Sequence, residues 1–272
     1  MSLPLLGVAL THPDFDGLRD WICAPGRAVE IQDFCALDAI RDVRDDLIAA
    51  WAALRDDLTG PVGIHGPFLG LDIGNPDGEI RAIVQKRLLE GIEIALALRA
   101  DQMVVHSPFT YWQHLNRENY PMIRPAIFEA AADCLAPVLA RATEAGCQIV
   151  LENIDDADPT VRVDLVAAID HPLLAVSLDT GHAELAHGRY GAPPVVDYIA
   201  AARGRLAHVH LQDADGYADR HWHPGDGRIP WRPVLDAIAA LPDRPRLILE
   251  VNDDLPRLPD TVARLEALGL AR

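Results

Sequence analysis

Eight short runs of β-branched and other apolar residues recur along the chain, and their number and spacing constrain the fold more than any other feature. They are LGVAL (6–10), AVEIQ (28–32), VGIHG (62–66), MVVHS (103–107), QIVLEN (148–153), AVSLD (175–179), LAHVHL (206–211) and LILEV (247–251). Each is too short for a buried helix and lacks a helical period, so each reads as a buried strand. Longer segments with apolar residues three and four apart lie between them. The clearest joins Ile80, Ile83, Val84, Leu88, Ile92 and Ala95; others span about 125–145 and 38–54. The tail LPDTVARLEALGL offers Asp260 as a helix cap.

Strands alternating with helices predict a parallel sheet. Eight such units in 272 residues predict an α/β chain folded as a closed (β/α)8 TIM barrel, a single domain over 1–272. An open doubly wound sheet is the alternative. It calls for a glycine-rich phosphate turn after an early strand, and GVALTHPDFDG is not one.

The charge balance bears on partners. With 24 basic and 41 acidic residues, the net charge of −17 argues against a general nucleic-acid binder, while leaving room for a local positive site. Bound divalent metals would offset several carboxylates. Cys23, Cys35, Cys134 and Cys147 are scattered without a CxxC pair, which suits free thiols in a reducing compartment. No basic leader is visible and no apolar stretch approaches about 20 residues, so the expectation is a cytoplasmic protein without a membrane span.

Catalytic groups of such barrels sit at the C-terminal ends of the strands. Six consecutive predicted strands carry a polar, titratable residue there: His65, His106, Glu152, Asp179, His210 and Glu250, with His182 following Asp179 in LDTGH. Each has an ordinary reading on its own. A single strand-end histidine is usually a hydrogen-bonded structural residue, Glu250 could pair with an arginine, and Asp179 could cap a helix. The coincidence at one end of successive strands points instead to a shared divalent metal site, because buried carboxylates are costly unless paired or metal-bound. Mixed imidazole and carboxylate ligands suit Zn, Mn, Co or Fe better than Ca.

The segment HVHLQDADGYADRHWHPGDG (208–227) adds four histidines and four aspartates in twenty residues. His208 faces the same side of its strand as His210, as a supporting residue or as barrel filling. His223 could contact substrate or be exposed. His12, His114, His171 and His187 fall in loops or near helix ends and read as surface residues.

These residues resemble the xylose-isomerase-like barrel superfamily, which holds sugar isomerases and epimerases together with type IV AP endonucleases. The resemblance spans nearly the whole chain. For the sugar branch it implies one divalent metal held by Glu152, Asp179, His210 and Glu250. For the endonuclease branch it implies three zinc ions: one on His65, His106 and Glu152, a second on the four residues just named, and a third on His182, Asp219 and His221. The chain also departs from the endonuclease pattern. EIQDFCALDAI, after strand 2, holds no arginine, and Phe68 stands where a DNA-inserting tyrosine is expected. Glu30 fits the sugar branch. The aromatic-rich loop FTYWQHLNRENYP (109–121) could wall a pocket or pack on the rim.

Two activities follow from the resemblance. The first is isomerisation or epimerisation of a sugar or sugar phosphate, with Glu152 and Glu250 as the acid and base on either side of the reacting carbon. Arg220, His182, Phe68 and Trp112 would contact substrate. The second is phosphoester hydrolysis by clustered zinc. The expected cofactors are one to three divalent ions per chain, Zn or Mn. The expected partner is a small sugar, with nucleic acid disfavoured and a homo-oligomer possible in this superfamily.

Overall fold

The apolar runs form strands within a residue or two of their expected limits. In a computed structural model, which describes residues 3–202 and 204–272, they are β1 (Gly7–Leu10), β2 (Val29–Ile31), β3 (Val62–His65), β4 (Gln102–His106), β5 (Gln148–Glu152), β6 (Leu174–Asp179), β7 (Leu206–Leu211) and β8 (Arg246–Leu249). They pair in parallel in sequence order, and β8 closes on β1. The fold is a single-domain (β/α)8 TIM barrel.

Side chains alternate between the two faces of each strand. Outward residues such as Ile64, Val105, Leu151, Leu178, Val209 and Leu249 join the core beneath the helices. The inward set changes character along the barrel axis. At the N-terminal end, Gln102 and Gln148 bond to each other at 2.9 Å. Above them Val104, Val150 and Ala175 form a small aliphatic plug, with Ala207 packed against it. The next inward positions are His106, Glu152, Ser177 and Asp179, so the polar layer sits at the C-terminal mouth.

One irregularity sets the aim of β7. Val176 pairs with Leu206, but Ser177 pairs with His208, which leaves Ala207 as an extra residue. Such a bulge reverses the phase of the following residues. Leu206 therefore points outward into the core, and His208 and His210 both turn into the barrel.

Helices fill the outside. Gly78–Ala97 begins at Asp77, whose side chain accepts from the Glu79 amide at 2.8 Å. Ile123–Ala145 stops at Gly146, a left-handed position with φ 67°. The pattern over 38–54 is not one helix. It splits into Leu37–Asp42 and Arg44–Leu54 at Val43, and the second piece seats Trp51 against Phe15 while its indole N–H donates to Asp33 at 2.8 Å. Asp260 does not cap the last helix. It lies in the first turn of Leu258–Ala267, which continues from a 3-10 turn at Leu255–Arg257 and takes Arg257 as its N-cap. All four cysteines are free. Among the described residues no helix is long and apolar enough to cross a membrane.

Candidate metal centre

The C-terminal ends of β3 to β8 converge at the barrel mouth. Three groups of ligand atoms gather there, each with its members within 4.8 Å of one another: His65, His106 and Glu152; Glu152, Asp179, His210 and Glu250; and His182, Asp219 and His221. These nine residues are the ones singled out in the sequence. A fourth group, Glu30, His208 and His210, lies on the inward faces of β2 and β7.

Glu152 is the hub. Its Oε1 is 2.8 Å from His210 Nδ1, and its Oε2 is 3.5 Å from His65 Nε2 and 3.8 Å from His106 Nε2. That Oε2 is buried and has no hydrogen-bond partner. Burial alone would raise this carboxyl, but His210, His65 and His106 outweigh it and hold Glu152 well below the usual carboxylate range.

The histidine rings are oriented by their far nitrogens. His65 Nδ1 faces the Gly66 carbonyl at 2.9 Å, His182 Nδ1 the Asn153 carbonyl at 2.9 Å, and His221 Nδ1 the Glu250 carbonyl at 3.2 Å. A carbonyl can only accept, so each Nδ1 carries its proton. In the neutral ring the lone pair is then on Nε2, which faces the cluster. His210 is reversed: its Nε2 donates to Glu30 Oε1 at 2.7 Å, and Nδ1 is turned to Glu152 and Glu250. Histidines that ligate metals are held this way. The orphaned Glu152 oxygen, the four ring nitrogens turned to the cluster and the mixed nitrogen and carboxylate donors together fit a divalent cation.

Asp179 combines both of the roles open to it in the sequence. It is the N-cap of helix Thr180–Tyr190, its Oδ1 accepting from the His182 amide at 2.6 Å. It also faces the central group. Burial pushes its carboxyl up to about 7; Glu152 and Glu250 add to this, while His182 and His210 oppose it. Across the mouth, His221 is raised to about 9 against burial by Asp219 and Glu250. Asp219 is lowered, because His182 and His221 outweigh its burial.

Several supporting residues were missed in the sequence. Glu30, only 2% exposed, was noted without a role; it holds His210 and lies 3.1 Å from His208 Nε2. Gln32 donates to Glu30 at 3.0 Å and to Glu250 at 2.9 Å, which ties β2 to the residue after β8. Asn153 clamps the Asp179 backbone with bonds of 2.8 and 3.0 Å. Gln212 bonds Asp179, Asp219 and the His221 amide. The missed signal was a polar residue on an inward strand position or just beyond it.

In the histidine-rich segment the four aspartates divide their work. Asp213 accepts from the amides of Ala214, Gly225 and Ile229 and from the Trp231 indole, so it organises the loop. Asp215 pairs with Arg220, Asp226 pairs with Arg257, and only Asp219 faces the cluster. His208 is buried and bonds Ser177 at 2.8 Å. His223 is neither exposed nor turned to the mouth; it is buried between the Asp253 carbonyl and Thr261, at 2.8 Å from each. His12, His114, His171 and His187 are half-buried rather than surface residues. His187, for example, bonds the Ala192 carbonyl at 2.6 Å.

The residues expected to touch substrate are placed unevenly. Phe68 stacks on His106 with ring centroids 4.2 Å apart, at the cluster itself. His182 belongs to the third group. Arg220 is held by Asp215 at 2.7 Å and lies over Trp222. Trp112 is 54% exposed and packs on Tyr120. The aromatic loop does both of the things open to it: Tyr111 packs on Tyr190, and Gln113, Arg117 and Tyr120 wall a cavity of about 390 Å³ with Asp155 and Asp156. A larger cavity of about 1220 Å³ opens at the opposite end of the barrel, by Gln102, Gln148 and Arg246, where no ligand group forms among the described residues.

Residues 26–269 match the family described as xylose isomerase-like TIM barrel. The chain belongs to that family. Among curated relatives of this xylose isomerase-like barrel is the uncharacterised protein MJ1311 of Methanocaldococcus jannaschii, 26% identical over 194 residues, 68% of this chain and 62% of the relative. Another is the D-psicose 3-epimerase of Ruminiclostridium cellulolyticum, 23% identical over 203 residues, 71% of this chain and 63% of the relative. The matched part thus spans less than two thirds of either. Among solved structures, the TTHB071 protein of Thermus thermophilus, soaked with ZnCl2, superposes with a TM-score of 0.71. It is 26% identical, with 98% of this chain and 99% of that chain covered.

Proposed function

We propose that this protein is a divalent-metal-dependent isomerase or epimerase of a sugar or sugar phosphate, working by proton transfer through Glu152 and Glu250. The observation that carries this reading is the pair of carboxylates meeting in one ligand group. Ligand oxygens of Glu152 and Glu250 lie within 4.8 Å of each other and of Asp179 and His210. The epimerase relative supports it. Glu152, Asp179, His210 and Glu250 would hold the cation, which supplies Lewis-acid polarisation of a carbonyl and its neighbouring hydroxyl and so acidifies the adjacent C–H.

The chain's own groups do the proton work. Glu152 is ionised and so has a carboxylate oxygen to accept the carbon-bound proton. Glu250, with Oε1 held by Gln32, would deliver to the other face of that carbon a proton taken up from solvent. Phe68 lays an apolar ring over His106 at the edge of the cluster. While the third group holds no cation, His182 can turn Nε2 to a substrate hydroxyl, and Arg220, once released by Asp215, could bind a phosphate.

Solvent deuterium tests the reading. Turnover of a ketose panel in D2O should place deuterium at the epimerised carbon, and Glu250→Gln should remove both turnover and label. Epimerisation without exchange would exclude carbon deprotonation. A second reading, a multinuclear zinc phosphoesterase, is favoured by the three ligand groups forming around Glu152. Three metals per chain with turnover of a phosphodiester and none of any ketose would overturn the first reading. The net charge of −17 directs that alternative away from DNA and toward small phosphodiesters.

The support of His210 gives a further expected result. Glu30→Leu removes the acceptor that fixes the ring and should weaken cation binding at the central group by about 10–100-fold. Competition against a chromogenic chelator measures this. Unchanged affinity would mean that Glu152 alone orients His210.

A further inference from the structure

The third ligand group stands partly on a loop, yet it is built tightly onto the central one. The link is Gln212, the first residue after β7 and fully buried. Its Nε2 lies 3.2 Å from Asp179 Oδ1 and 2.9 Å from Asp219 Oδ1, and its Oε1 accepts from the His221 backbone N–H at 2.9 Å. The orientation of this amide is fixed by chemistry. A backbone N–H can only donate, so the oxygen must face His221, and both amide hydrogens are left for the two carboxylates. One side chain thereby spans a ligand of the central group and the two loop ligands of the third.

The bond to His221 falls where the backbone needs it. His221 has φ 49°, the left-handed region that a non-glycine residue enters at a cost. Its N–H is held by Gln212 and its carbonyl accepts from the Asn252 amide at 3.2 Å. This conformation brings His221 Nε2 within 3.2 Å of Asp219. The neighbouring sequence makes room for the amide: Gly181 faces Gln212 so closely that a methyl group on its Cα would overlap the side-chain amide. Glycine at 181 and glutamine at 212 are a matched pair.

We propose that Gln212 is a positioning residue that assembles His182, Asp219 and His221 onto the central group, so that displacing its amide opens the third group while the central one still binds its cation. This rests on the metal reading above. Two variants displace the amide in different ways. Gln212→Met keeps the bulk and removes all three bonds. Gly181→Ala leaves Gln212 in place and pushes its flexible end aside.

The test uses the full chain stripped of metal and titrated with Zn2+ or Co2+, with Asp219→Ala and Asp179→Ala marking the third and central sites. Both displacing variants should weaken the sites lost in Asp219→Ala by about 10–100-fold, as loss of an outer-shell partner does. They should keep the sites lost in Asp179→Ala, and the Co2+ absorption of the third site should fade alone. Variants that titrate like the parent, or that lose both classes together, would overturn the proposal. Hydrogen exchange of the metal-free chain provides a readout without any cation. The His221 amide should exchange at least tenfold faster in both variants, and equal protection would overturn the proposal. If the parent chain binds no cation, the metal reading fails, and the exchange result still decides whether Gln212 holds the loop.

Discussion

Glu152→Gln is expected to lower turnover by about 10²–10⁴-fold while leaving the barrel folded. The substitution is nearly isosteric, and the buried position keeps its bulk. Two chemical properties are lost together. The carboxylate stands in two of the ligand groups, so its removal weakens both. It is also the ionised acceptor in the proton-transfer reading. An amide at this position keeps an oxygen for one neighbour but turns an N–H toward the other. With Oε1 at His210 and Oε2 between His65 and His106, one of those partners then meets a donor. Metal analysis should therefore show a lower cation content per chain, and thermal unfolding should show a folded protein. Activity within threefold of the parent, with metal content unchanged, would remove Glu152 from both roles.

The division between what the sequence revealed and what it concealed has a physical cause. Strands buried on both faces advertise themselves locally, because a short apolar run needs no distant partner to be recognised. A titratable residue ending such a run is equally visible, since its burial demands a reason. That is why His65, His106, Glu152, Asp179, His210 and Glu250 could be named from pattern alone. Residues whose meaning depends on a distant partner were hidden. His223 is pinned by Thr261, 38 residues away, and Glu30 meets His210 across 180 residues. The bulge at Ala207 was hidden too, although it decides that His208 and His210 face inward. Without it, strict alternation from the paired Val176 and Leu206 would turn both rings toward the helices. The break at Val43 belongs to the same class, because seating Trp51 against Phe15 is a tertiary demand on a pattern that reads as one helix.

Cation binding should be strongly pH-dependent, with affinity rising at least 10²-fold between pH 5 and pH 7. The metal-free cluster carries protons that a cation must expel. Asp179, raised to about 7 from 3.8 by burial and by Glu152 and Glu250, keeps its proton through most of this range. His210 and His182 are raised well above 6.5: against burial, chiefly Glu250 acts on the first and Asp179 on the second. His221 is raised to about 9. A cation at the central group displaces the protons of Asp179 and of His210 Nδ1, about two per ion, and each contributes about tenfold per pH unit. The stability of the metal-free chain follows from the same groups. A carboxyl or imidazole with a raised folded pKa stabilises fully below its unfolded value and loses that contribution as pH rises through the folded one. For Asp179 the loss runs from about 3.8 to about 7, and for His221 from about 6.5 to about 9. Glu152 and Asp219, which are lowered, work in the other direction and lose their contribution only on acidification below the ordinary carboxylate range. The metal-free protein should therefore unfold at progressively lower temperature from pH 6 to pH 9. Added Zn2+ or Mn2+ should raise the unfolding temperature more at pH 8 than at pH 6, since ligand binding to the folded state grows as proton competition fades. Calorimetric titration in buffers of different ionisation enthalpy counts the released protons. A count near zero, or a metal-induced shift in unfolding temperature that is the same at pH 6 and pH 8, would mean that these residues do not hold the cation through Asp179 and His210.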